Sequence, residues 1–161
     1  MFNTPLILYE EESSQINLII EKLKKESSCK AIFLVNKNGQ MIAECGELKE
    51  LDTTSLASLT AGNIAATGGL AKLLGESEFS IVFHEGRRDN IHISIVGHRV
   101  ILVAIFDEST SIGLVRLKVK SASRELEKVF KKMAKKAEGE VESLLGEISE
   151  EDIENLFKGT G

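Results

Sequence analysis

The sequence predicts an α/β (α+β) domain: a five-stranded antiparallel sheet with one helix on one face and two on the other. Three observations point there. Asn38-Gly39 lies between the apolar runs Ala31–Val35 and Gln40–Cys45, and Asn-Gly in that place marks a hairpin because both residues tolerate positive φ. Three more short runs follow closely, about Phe79–His84, Asp89–Val96 and Arg99–Asp107, with turns at Glu85–Arg88 and Gly97-His98, which is the pattern of a meander. Finally, Ala31–Val35 and Val100–Phe106 are apolar at every position, so both need cover on both faces and belong side by side in the sheet centre. With strands numbered in chain order, the sheet reads 2-1-5-4-3.

The first helix spans about Glu11 to Ser27, where Ile16, Ile19, Ile20 and Leu23 recur at the spacing of one helical face. The second spans about Asp52 to Leu74. Asp52, Thr53 and Thr54 offer N-cap oxygens, and Gly75 is placed to stop the helix in the left-handed conformation. Between Thr110 and Ala137 the signals compete, because Leu117–Lys120 alternates like a strand. The longer run Ile112, Val115, Val119, Ala122, Leu126, Val129, Met133 steps by threes and fours and decides for a third helix. Beyond Gly139 the chain turns acidic, with Gly and Ser, and ends in a short amphipathic segment, Ile148–Phe157. The chain therefore divides into a globular domain at 1–138 and, at 139–161, an acidic linker with a C-terminal helix.

A length of 161 residues suits one globular domain with a tail, and 42% apolar with 28% charged residues suits a packed core. The net charge of −5 argues against a nucleic-acid module, which carries a basic excess. The Lys and Arg between Lys118 and Lys136 alternate with Glu125 and Glu127 at helical spacing and read as a solvated helix face. No run approaches the roughly 20 apolar residues of a membrane span. The opening MFNTPLILYEEE has no basic stretch and turns acidic at once, unlike a signal peptide. These features predict a cytoplasmic protein in which Cys29 and Cys45 stay reduced, as small semi-buried residues.

The second helix is the most informative segment. On a wheel of about 100° per residue, Leu56, Leu59, Asn63, Ala66, Leu70 and Leu73 share one side, expected to bury against the sheet. Ala57, Ala61, Ile64, Ala65 and Gly68 share the other, and only Lys72, near the end, is charged. A surface helix normally carries long polar side chains there. Gly62, Gly68 and Gly69 add to the anomaly, since each glycine in a helix interior costs about 0.5–1 kcal/mol against alanine. A helix apolar all round is buried on both sides. The tail of the same chain or a second molecule would supply the second cover; the expectation is an intermolecular platform in a two-fold dimer.

Chemistry of its own is not expected of this chain. GNIAATGG (Gly62–Gly69) runs into Leu70 instead of Lys-Ser or Lys-Thr, so it is no phosphate loop, and it lies mid-helix where backbone N–H groups are already used. His84-Glu85 has no second His at zincin spacing, and no His, Cys, Asp or Glu set has metal-ligand spacing. No Gly-x-Ser-x-Gly elbow is present. Arg87 and Arg88, at a hairpin tip, have the exposure an arginine finger needs, but read as solubilising turn charges. No catalytic residue, metal or cofactor is assigned.

The element order and the stretch LDTTSLASLTAGNIAATGGLAKLLGE (Leu51–Glu76) resemble the Roadblock, or dynein light-chain, superfamily. VNKNGQ (Val35–Gln40), FHEG (Phe83–Gly86), IVGHRVILVAIFD (Ile95–Asp107), SIGLVRL (Ser111–Leu117) and ISEEDIENLF (Ile148–Phe157) extend the likeness to a bacterial branch of it, over nearly the whole chain and most weakly at Gly139–Glu147. The resemblance implies a homodimer whose third strands and second helices meet across the two-fold. It implies that this platform, here Ala57, Ala61, Ile64, Ala65, Gly68 and Lys72, binds a Ras-like small GTPase and speeds GTP hydrolysis by repositioning the GTPase's own catalytic residues. The C-terminal helix, through Ile148, Ile153, Leu156 and Phe157, is implied to bind the same GTPase and to influence nucleotide exchange. The setting implied is bacterial cell polarity and motility. A scaffold that only tethers a GTPase, or a ligand-sensing domain, is the alternative.

Overall fold

The computed structural model describes residues 9–147 and 154–156. In chain order the elements are α1 (Glu10–Ser27), β1 (Ala31–Asn36), β2 (Met41–Gly46), α2 (Thr53–Leu73), β3 (Ile81–Glu85), β4 (Asn90–Val96), β5 (Val100–Phe106) and α3 (Ile112–Glu147). All strand pairs are antiparallel and the sheet order is β2-β1-β5-β4-β3, as the sequence predicts.

β1 and β5 sit at the centre because all their apolar side chains are buried. Alternation along each strand sends Ile32, Leu34, Leu102, Ala104 and Phe106 to one face, under α1 and α3. Ala31, Phe33, Val35, Ile101, Val103 and Ile105 go to the other, under α2. The hairpin after β1 closes with a hydrogen bond from the Gly39 N–H to the Asn36 carbonyl, 3.0 Å. Of Asn38 and Gly39 only Gly39 has positive φ, +86°, because Asn36 Oδ1 accepts from the Asn38 and Gln40 N–H groups, each at 3.0 Å, and holds the turn. The one-residue slip in register between Leu34 and Val35 takes up the extra turn residue.

α1 and α3 run antiparallel on their shared face. Lys118–Glu26 (3.6 Å), Lys22–Glu125 (3.7 Å) and Lys132–Glu11 (3.9 Å) mark the register along their length. Glu12, whose side chain is fully enclosed, ion-pairs with Lys136, and that ammonium holds its carboxyl below the usual range. The Lys136 ammonium also lies 5.4 Å from the Tyr9 ring centroid.

α3 departs from the expectation. Its 36 residues pass through Gly139 without interruption, so Gly139–Glu147, expected as an acidic linker, are helical. One helical glycine costs only about 1 kcal/mol, and Glu138, Glu140, Glu142, Leu144 and Leu145 around it are good helix formers. In the tail, Leu156 is helical and 72% exposed, whereas Ile148, Ile153 and Phe157 lie outside the described residues.

Candidate functional site

α2 is fixed at both ends as its sequence requires. Asp52 caps it, with Oδ1 accepting from the Ser55 N–H at 3.1 Å and Oδ2 from the Ser55 hydroxyl at 2.6 Å, bonds that hold the Asp52 carboxyl below its ordinary pKa. At the other end Gly75 adopts φ +78°, and the Glu76 and Gly75 N–H groups return to the Ala71 and Lys72 carbonyls at 2.8 and 3.2 Å, a Schellman motif.

Between these ends the helix is rotated by about a third of a turn from the expected facing, and of the residues expected beneath it Leu56 and Asn63 are half-buried. Ala57 (1% exposed), Thr60 (8%), Ile64 (8%) and Ala71 (0%) lie against the sheet. Ala57 and Ile64, expected on an outer platform, belong to the core with Phe33, Val35, Ile101 and Val103. Leu59 (72%), Leu70 (59%) and Leu73 (84%), expected beneath the helix, face outward. The reason is volume. The central strands present Phe33, Val35, Ile101 and Val103 to α2, and a helix packs closely on such bulk with its smaller side. The signal in the sequence is size complementarity; hydropathy, equal on both sides, is not.

The other expected platform residues are split. Ala61 and Gly68 are half-buried on the flank of α2, where with Phe79 and Ile95 they line a groove of about 330 Å³. Ala65 and Lys72 are exposed on the same flank. The face that the structure leaves open consists of Leu59, Gly62, Ala66, Gly69, Leu70 and Leu73, none of which the sequence reading places outward. A Cβ added to Gly62 or Gly69 would meet nothing within 4 Å, so no contact among the described residues needs those glycines.

This face continues onto β3. Asn63 Nδ2 lies 3.3 Å from His84 Nε2 on that strand, tying helix to sheet edge. Among the described residues no strand pairs with the outer side of β3, and Ile81 there is 51% exposed. An unpaired edge beside an apolar helix face is a surface for main-chain pairing with another chain. The arrangement offers an apolar surface bordered by an open strand edge. Among the described residues no group of His, Cys, Asp and Glu is placed to hold a metal ion. Cys29 and Cys45 are free, and burial pushes both thiols up, away from reactivity. Arg87 and Arg88 are exposed at the β3–β4 hairpin tip. Among the described residues no helix is long and apolar enough to cross a membrane.

Comparison with known proteins agrees with the fold. Residues 15–106 match the Roadblock/LC7 domain family. Myxococcus xanthus MglB is 56% identical, with a TM-score of 0.76 over 80% of this chain and 96% of that one. The gliding protein MglB from Thermus thermophilus is 32% identical, with a TM-score of 0.76 over 81% of this chain and 99% of that one. A structure described as MglB with tetrameric arrangement is 30% identical, with a TM-score of 0.76 over 82% and 99%. No curated protein sequence matches the chain. With its sheet order, its helix placement and a family match across most of its length, the chain belongs to the Roadblock/LC7 domain family.

Proposed function

We propose that this protein is a homodimeric, MglB-like regulator of an MglA-type Ras-like GTPase, with no active site of its own, acting in bacterial cell polarity and motility. The observation that carries the reading is 56% identity to Myxococcus xanthus MglB across 96% of that chain. The open α2 face and β3 edge support it, because they supply an apolar surface and a row of unpaired backbone groups to a two-fold partner. The dimer then presents a rigid platform to the GTPase. Intrinsic GTP hydrolysis is slow because the attacking water and charge-stabilising groups are poorly placed. A platform that binds one arrangement of the GTPase switch loops better than another shifts the population toward it, by no more than the difference in affinity. It needs no inserted side chain, so Arg87 and Arg88 have no assigned role. The C-terminal segment around Leu156 is the further GTPase contact in this reading, and acts on nucleotide exchange.

The test is phosphate release by the cognate GTPase, measured single-turnover with and without this protein. The expected result is stimulation that Leu70→Asp abolishes while Arg87→Ala with Arg88→Ala leaves it intact. Binding without any change in phosphate release would replace the reading with that of a tethering scaffold.

A further inference from the structure

The far end of α3 carries an apolar stripe that nothing in the described structure covers. The buried seam of the helix ends at Met133 and Ala137, yet its repeat continues through Val141 (50% exposed), Leu144 (62%) and Leu145 (60%). At about 100° per residue, Leu144 continues the line of Met133 and Ala137, whereas Val141 and Leu145 lie on the adjoining flank of the helix, in line with Phe130 and Ala134.

A second observation concerns charge. Lys128, Lys131 and Lys135 form an exposed ridge on the outer side of the helix, next to the flank that carries Phe130, Ala134, Val141 and Leu145, and among the described residues none of them is in an ion pair. Further along the same line come Glu138 and Glu142, also exposed. The ridge changes sign between Lys135 and Glu138. A third observation is a groove of about 380 Å³ between Phe130 and Ala134 of α3 and the turn at Gly97–Arg99.

We propose that α3 pairs antiparallel with α3 of a second copy of this chain, about a two-fold axis between Ala137 and Glu138. A two-fold interface must be complementary to itself. A helix basic throughout would repel its own copy, whereas one that reverses sign at the axis sets basic half against acidic half. In this register Ala134 lies opposite Val141 and Phe130 opposite Leu145, so small meets medium and large meets large along the apolar seam. Lys131 and Lys135 of each copy come beside Glu142 and Glu138 of the other, flanking the seam as charged positions flank a helix-pair interface. The groove beside Phe130 receives the end of the incoming helix. This contact is on the opposite sheet face from α2, so it coexists with a dimer through α2 and joins such dimers to each other.

The test is sedimentation equilibrium of the full chain over a concentration series. Val141→Asp with Leu145→Asp is expected to lower the average mass at least twofold, with helical content by circular dichroism unchanged. Lys131→Glu with Lys135→Glu, and separately Glu138→Lys with Glu142→Lys, are expected to do the same. An equimolar mixture of the two charge variants should regain the wild-type mass, since one is then acidic and the other basic throughout. Unchanged mass in the aspartate variant overturns the proposal. A lowered melting temperature at unchanged mass would assign the stripe to cover from its own chain, and lost GTPase binding at unchanged mass would assign it to the GTPase. Failure of the mixture to recover overturns the antiparallel register. None of these outcomes depends on whether the GTPase is stimulated.

Discussion

His92 on β4 shows how much one residue can depend on its surroundings. It is 1% exposed, with neither ring nitrogen in a hydrogen bond among the described residues. It faces the α3 side of the sheet, between its cross-strand neighbours Phe83 and Ala104. Burial first, and the charge of Arg116 second, hold its pKa below the ordinary value. The unfolded chain therefore takes up this proton first, near pH ~6.5. Stability from the neutral buried ring is full above that pH and is lost as pH falls below it. Thermal melts at about pH 7.5 and about pH 5.5, on either side of that value, should show a drop that His92→Leu reduces; an equal drop in both proteins would remove His92 as the cause. Gly62 and Gly69 give a second residue-scale prediction. With open space around each, Gly62→Ala with Gly69→Ala should raise the stability of the unassociated chain, by up to about 1 kcal/mol per site. Analytical ultracentrifugation of the same variant should show weaker association if a partner helix approaches there. Tighter or unchanged association would mean that the glycines serve something else.

At the scale of elements, α2 and α3 each depart from their sequence expectation for a physical reason. In α2, leucines and alanines lie on both sides, so periodicity identifies the helix and its caps but not its rotation. Ala57 and Leu70 separate the two rotations in one experiment. Ala57→Arg drives a charged side chain into a site with 1% exposure and should leave no cooperative melt. Leu70→Asp, at 59% exposure, should change the stability of the unassociated chain by no more than about 0.5 kcal/mol. The reverse pattern would restore the rotation read from the wheel. In α3, Gly139 resembles a stop, yet it lacks the positive φ that ends α2 at Gly75. A stop needs the chain to have somewhere better to go, and Glu140–Glu147 is a better helix than loop. The strands are the most legible elements, because a run apolar at every position has only one place in an antiparallel sheet.

At the scale of the whole molecule the sheet separates two surfaces. One is the α2 face with the β3 edge, proposed above for dimerisation and the GTPase; the other is α1 and α3. Removing residues 148–161 leaves every described element but the helical turn at 154–156 in place. The expected outcome is an intact α2-mediated dimer with a weaker effect on GTPase turnover and exchange. Loss of dimerisation by light scattering would show instead that the tail packs on its own domain and supports the surface that dimerises. Strand order and the helix caps were set by the sequence alone, because hairpin turns, cap side chains and apolar runs act over a few residues. Tertiary structure decided which side of α2 faces out and how far α3 runs. Both depend on the volumes of side chains distant in sequence, Phe33, Val35, Ile101 and Val103 above all, and close packing is settled only when those side chains meet.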